Sequence, residues 1–313
     1  MSEFRFRQFS VKNEASAMKV GTDAVLLGAA MTLRPSDRSL LDVGTGTGVI
    51  ALMAAQRLAA LPTDSRPVTD MSAATIAESL PADACPAIGI PPTSAFQIEA
   101  IDIDPASAAE AAENFAASPW SAHLRAHCIP LSRYCADGLD LIFSNPPYYD
   151  SSLKNPDARE SAARHTETLS YRELCAFAEA HLKPEGRLSL ILPADCEKDL
   201  LRTAASFGLY PFRLLRIRTT PAKPVSRLIA EFSRTRIPVP CLTTDPHQPG
   251  HTSPQVASTG PHQPDQTCPQ VAAVGPQASA TSFQQVELAE LTLMDSSNNR
   301  SPEYTTLTEE FYL

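Results

Sequence analysis

The stretch Ser39-Leu40-Leu41-Asp42-Val43-Gly44-Thr45-Gly46-Thr47-Gly48-Val49-Ile50-Ala51-Leu52 decides the fold. Ser39 to Val43 reads as a buried strand with Asp42 near its end, and Val49 to Ala60 has helical periodicity. The alternating glycines between them make a strand, glycine loop, helix unit. Working outward, Phe96 to Ile103 predicts a second strand. Pro105 to Ala117 predicts a helix capped by Asp104, with proline in its first turn. Leu124 to Ile129 and Leu139 to Phe143 are further short strands. Tyr171 to His181 is a helix with Ser170 and Glu173 as its capping box, ended by Lys183-Pro184-Glu185-Gly186 before a strand from Arg187 to Leu192. Strands alternating with helices specify an α/β, Rossmann-like fold whose mostly parallel sheet carries helices on both faces.

Two segments interrupt this pattern. Among 313 residues there are 28 prolines against 12 glycines, and the prolines cluster. Residues 62–95 hold six of them amid Ser, Thr and Ala, which blocks helical and strand periodicity alike, and are expected to be a surface loop. Residues 237–282 lack Lys and Arg and repeat with a period of 15. Pro246-His247-Gln248-Pro249 returns as Pro261-His262-Gln263-Pro264, and Pro254-Gln255-Val256-Ala257 as Pro269-Gln270-Val271-Ala272. With almost no apolar face to stack, the repeat is expected to be disordered rather than a solenoid. Seven cysteines without a CxxC pair indicate neither a disulfide framework nor a zinc ribbon, and no metal is expected. No apolar stretch approaches the ~18 residues of a spanning helix, so a cytoplasmic location is expected. A net charge of −9 argues against any broad polyanion-binding surface.

The glycine loop is not the dinucleotide fingerprint, because Val49 stands where GxGxxG requires its third glycine. A ribose-binding carboxylate is expected about 20 residues beyond such a loop. Asp102 lies 54 residues beyond Gly48, and segment 62–95 accounts for 34 of them. Treating that segment as an insertion restores the spacing. Asp102 is therefore assigned to the ribose and Asp104 to the helix cap. The strand from Leu139 runs directly into Ser144-Asn145-Pro146-Pro147-Tyr148-Tyr149, at the sheet edge where open α/β folds bind ligands.

GxGxG preceded by Asp42 resembles motif I of the class I methyltransferases, whose cofactor is S-adenosylmethionine. Asn145-Pro146-Pro147-Tyr148 is similar to the motif of methyltransferases that modify a planar, conjugated nitrogen. In that resemblance the Asn145 side-chain oxygen and the Pro146 carbonyl accept the two N–H bonds of a delocalised amine and stabilise its developing positive charge. Pro146 and Pro147 make the turn rigid, and Tyr148 stacks on the base. Met18-Lys19-Val20-Gly21-Thr22-Asp23 with Leu26-Leu27-Gly28, Ser118-Pro119-Trp120, and Tyr304-Thr305-Thr306-Leu307 with Phe311-Tyr312-Leu313 narrow the match. Together these resemble the bacterial tRNA(Val) adenine-N6 methyltransferases, over residues 4–61, 96–236 and 283–313.

The resemblance implies a seven-stranded sheet with an antiparallel last strand, here Arg227 to Phe232. It implies N6-methylation of the adenine 3′ of the anticodon by a monomer whose partner is the tRNA anticodon loop. Its expected domains are an N-terminal lid or substrate segment, 1–37, and a methyltransferase domain, 38–236, with a carboxyl-terminal segment, 283–313, completing it. Lys19, Thr22, Asp42, Gly44, Thr45, Gly46, Gly48, Asp102, Ile103 and Asn145 are the expected cofactor-binding residues. One departure stands out: the family places an acidic residue beside the cofactor's adenine, where this chain has Pro130.

RNA contacts must come from local charge. Between Pro211 and Arg236 there are seven basic residues, Arg213, Arg216, Arg218 and Lys223 among them, against Glu231 alone. Arg5, Arg7 and Arg164 complete the expected RNA-binding set, and such phosphate contacts give position rather than sequence choice. Phe4, Phe6 and Phe9 are either a hydrophobic anchor or a stacking surface. Two other readings remain open: a glutamine-amide methyltransferase acting on a release factor, and a non-catalytic RNA-binding relative.

Overall fold

The computed structural model describes residues 3–16, 18–62, 96–136, 138–147, 169–235 and 286–312. Both interrupting segments lie almost wholly outside these, as do Tyr148, Arg164 and Arg236. Among the described residues, β1 (Glu3–Arg5) and β2 (Ser10–Lys12) form an antiparallel hairpin. Eight further strands make one sheet: β3 (Ser39–Val43), β4 (Gln97–Asp102), β5 (Leu124–Cys128), β6 (Leu139–Ser144), β7 (Leu182–Pro193), β8 (Tyr210–Arg218), β9 (Val225–Ser233) and β10 (Glu287–Thr292). Their order is β10-β8-β9-β7-β6-β3-β4-β5, and only β9 runs against its neighbours.

The expected seven strands and their antiparallel member are present, and β10 adds an eighth. It pairs in parallel with β8, from Glu287 opposite Arg213 to Thr292 opposite Arg218, and covers an edge that would otherwise be open. The sequence hides it because only Leu291 of this strand is buried. Lys183 to Gly186 also behave differently from expectation. They belong to β7, in a bulge where β6 moves on two residues, Leu139 to Leu141, while β7 moves from Leu182 to Arg187. A bulge tolerates Pro184, which has no N–H to offer a ladder.

The α-helices among the described residues are α1 (Thr22–Ala30), α2 (Val49–Ala60), α3 (Pro105–Ala116), α4 (Tyr171–His181), α5 (Glu197–Ser206) and α6 (Pro302–Thr308). The residues α1, α2 and α3 bury pack with Ile98, Ala100 and Phe143 on one side of the sheet; those of α4 and α5 pack with Leu41, Ile142 and Leu188 on the other. Coverage of both faces explains why the central strands read as continuous apolar runs. The Ser170–Glu173 capping box and the Asp104 cap form as expected.

Phe6 and Phe9 are buried, stacked on each other, with Phe9 edge-on to Trp120 and Phe6 against Tyr312. They are an anchor and not a stacking surface. The Arg7 amide donates to the Phe311 carbonyl at 2.9 Å, so this cluster joins the amino-terminal hairpin to the segment after α6. α1 is buried along seven of its nine residues and belongs to the core.

Candidate active site

The carboxyl ends of β3, β4 and β6 lie side by side, because Val43 is in register with Ile101 on one side and Ser144 on the other. This is the point where strand order reverses, and it collects the glycine loop, Asp102 and Asn145 from three separate parts of the sequence. Gly44, Gly46 and Gly48 all take left-handed φ, from +55° to +81°. Gly48 has a second reason to be glycine: a Cβ there would stand 2.5 Å from the Phe115 ring. The Gly44 and Thr45 amides both donate to the Ile101 carbonyl, fixing the loop to β4.

Asp102 accepts the Gly46 amide at 2.9 Å through Oδ2 and the Asp104 amide at 2.9 Å through Oδ1. It shapes the loop while leaving further lone pairs for a ligand hydroxyl. Asp104 caps α3 through the Ala106 and Ser107 amides. Asp42 is fully buried; Thr45 Oγ1 donates to its Oδ2 at 2.7 Å, while Oδ1 has no partner. Burial first, and then the charge of Asp102, pushes the Asp42 carboxyl up to about 7.

An orphaned carboxylate oxygen, a second carboxylate and a cradle of left-handed glycines fit S-adenosylmethionine, which carries an ammonium and a sulfonium. Met18 and Ile103, large apolar side chains that stay 43% and 56% exposed, stand at the same rim. Ile103 directly follows Asp102 and is an exposed apolar side chain next to it in sequence.

Beyond β6, Ser144 Oγ donates to the Val43 carbonyl at 2.7 Å, which fixes the start of the turn. Asn145 is half-buried, Pro146 buried and Pro147 exposed. Pro130 follows β5 in extended geometry, and its carbonyl already accepts the Arg133 amide at 2.9 Å. Thr22 opens α1 exposed, and Lys19 Nζ donates to the Glu14 carbonyl at 2.6 Å. The residues missed by sequence reading are Ser16, Ser107, Glu110 and Asn114, all buried around the loop. For Ser107, Glu110 and Asn114, polar side chains at the core-facing positions of α3 were the one available signal.

The basic stripe has acidic neighbours in space. Arg213 pairs with Glu231 and Glu287, Arg216 with Glu197, Arg218 with Glu290, and Arg227 with Asp23. Acids distant in sequence thus neutralise most of the local excess. Arg5 pairs with Glu3, and Arg7 Nε donates to the Tyr312 carbonyl. Lys223 is exposed in the β8–β9 turn. Among the described residues no group of three His, Cys, Asp or Glu is placed to hold a metal, and no helix is long and apolar enough to cross a membrane.

No family model matches the chain. Curated relatives named tRNA1(Val) (adenine(37)-N6)-methyltransferase include one from Bacteroides fragilis, 36% identical over 234 residues, covering 74% of this chain and 83% of the relative. Another, from Parabacteroides distasonis, is 37% identical over 240 residues, covering 76% and 86%. A third, from Trichodesmium erythraeum, is 32% identical over 241 residues, covering 76% and 87%. Among solved structures, a predicted O-methyltransferase from Agrobacterium tumefaciens superposes with a TM-score of 0.52 at 12% identity, covering 92% of this chain and 96% of that one. That likeness speaks for the fold.

Proposed function

The chain belongs to the tRNA1(Val) (adenine(37)-N6)-methyltransferase family, and from that premise we propose that it methylates N6 of the adenine 3′ of the anticodon in tRNA(Val). The observation that carries this reading is the register that sets Asp42, Asp102 and Asn145 on adjoining strand ends. When bound, S-adenosylmethionine supplies a methyl group activated by its positive sulfur.

The protein's own residues prepare the amine. An adenine N6 lone pair is delocalised into the ring and attacks poorly. The Asn145 side-chain oxygen and the Pro146 carbonyl accept its two N–H bonds, which favours tetrahedral geometry and stabilises the charge that develops on nitrogen. The buried Pro146 keeps its carbonyl in place. No strong base is needed, because the amine becomes strongly acidic as it acquires the methyl group, and its proton then passes to solvent water. Tyr148 stacks on the base from one side.

On the cofactor side, Asp42 would hold the ammonium, Asp102 the ribose hydroxyls and Ile103 the adenine, and Gly44 to Gly48 would allow close approach of the backbone. Lys19 and Thr22 border the same rim. Lys223, exposed in the β8–β9 turn, and Arg5, exposed at the end of β1, contact phosphate with Arg7 and Arg164, while Arg213, Arg216 and Arg218 act mainly through their ion pairs. An anticodon-loop adenine lies outside a duplex, so presenting it costs less than flipping a paired base.

The test is transfer of labelled methyl from S-adenosylmethionine to tRNA from a strain lacking the modification. The expected outcome is N6-methyladenosine next to the anticodon, falling at least 100-fold with Asn145→Ala. Label in a protein glutamine, with none in tRNA, would replace this reading by the amide methyltransferase.

A further inference from the structure

The segment between β2 and α1 crosses the glycine loop as a strap, and one face of α3 holds it there. We propose that Glu110 is a positioning residue for the cofactor, fixing residues 14–16 so that Ser16 and Met18 roof the loop at Gly46.

Glu110 sits in the middle of α3 and is 5% exposed. A buried carboxylate needs partners. Its partners are three successive backbone amides: Glu14 at 3.1 Å, Ala15, and Ser16 at 3.1 Å, all to Oε2. Successive amides that converge form an anion-binding concavity, here filled by a side chain of the same protein. Three and four residues along the helix, the same face presents Ser107 and Asn114. Ser107 Oγ stands 3.1 Å from Ser16 Oγ. Asn114 accepts the Lys12 amide at 2.8 Å and donates to the Thr47 carbonyl at 2.9 Å, tying the strap to the glycine loop itself.

The same helix thus grips both parts, since Ala111 and Phe115 close against Gly48. The strap is also closed on itself. The Val20 amide donates to Asn13 Oδ1 at 3.1 Å, Lys19 Nζ to the Glu14 carbonyl, and Ser16 Oγ to the Met18 carbonyl at 3.0 Å. As a result, a methyl group on Gly46 would lie 3.4 Å from Ser16 Oγ and 3.7 Å from the Met18 carbonyl. A roof that close is a wall of whatever the loop binds.

Holding the roof in place before binding lowers the ordering cost of each binding event. Glu110 therefore acts on cofactor affinity and leaves the chemistry at Asn145, on another strand, unchanged. The proposal rests on the functional reading for the identity of the ligand. Calorimetry with S-adenosylmethionine needs no tRNA, so a failure of the substrate reading alone leaves the measurement intact.

The experiment compares full-length wild type, Glu110→Ala and Glu110→Gln by calorimetry, by kcat at saturating cofactor, and by amide exchange at residues 14–16. We expect Glu110→Ala to bind S-adenosylmethionine at least tenfold more weakly, with kcat within threefold of wild type and faster exchange at 14–16. Glu110→Gln keeps an acceptor oxygen without the charge and falls between, about threefold weaker. A folded Glu110→Ala with wild-type affinity overturns the proposal, as does a loss confined to kcat. If alanine does not fold, wild-type affinity and wild-type exchange in Glu110→Gln overturn it instead.

Discussion

Asp42 is the residue whose environment and proposed task are most closely coupled. Its carboxyl is raised to about 7 by burial and by Asp102, whereas an unfolded aspartate ionises near 3.8. Between those values the folded state holds a proton that the unfolded state has lost, so Asp42 makes stability fall as pH rises from about 4 to about 7. Asp42→Asn removes this contribution. The variant should melt several degrees above wild type at pH 8, with the difference fading toward pH 4 in thermal scans. Wild-type affinity for S-adenosylmethionine should rise between pH 6 and 8, as ionised Asp42 meets the ammonium. Asp42→Asn should bind at least tenfold more weakly with that rise abolished; a pH-dependent affinity surviving in the variant would assign the titration elsewhere. A second buried charge is purely structural. Arg187 is fully buried, donates Nη2 to Asp37 at 2.6 Å, and leaves Nε and Nη1 without partners. Asp37→Ala strands that charge and should cost about 3–5 kcal/mol in a denaturant melt. Adding Arg187→Met should recover most of the loss, and a double variant no more stable than the single one would contradict the pairing argument.

At the scale of elements, much was legible because the signals are local. The helix at Pro105 announces itself through Asp104 and proline, the helix at Tyr171 through its capping box, and the glycine loop through residues that only left-handed backbone requires. β10 was not legible, since an edge strand with one buried side chain carries little apolar alternation. The ion pairs of the basic stripe on β8 and β9 were not legible for the complementary reason. Charges counted along a window ignore Glu197, Glu287, Glu290 and Asp23, which arrive from elsewhere in the chain and turn much of an apparent binding surface into ion pairs. The face of α3 that carries Ser107, Glu110 and Asn114 takes its meaning from a strap about 100 residues earlier in sequence.

At the scale of the whole molecule, β9 ends at Ser233 and the next described strand, β10, begins at Glu287. Glu231 of β9 and Glu287 of β10 both pair with Arg213 of the intervening β8. Two strand spacings, about 10 Å, are all the connection must span. Deleting residues 239–282 leaves enough chain for that distance. The shortened protein is expected to melt within about 2 °C of the full chain and to methylate tRNA at an unchanged rate; a large loss of either would give the repeat a role in the fold or in the substrate complex. The sequence by itself determined the α/β class, the glycine loop, the spacing to Asp102 and the turn after β6, because each depends on backbone geometry that a few neighbouring residues impose. Only the tertiary structure decided that Asp42 keeps an unpaired buried oxygen, that the arginines of β8 are neutralised, and that Glu110 pins a strap over the loop. Burial and charge pairing are sums over neighbours in space, and here those neighbours are tens to hundreds of residues apart in the chain.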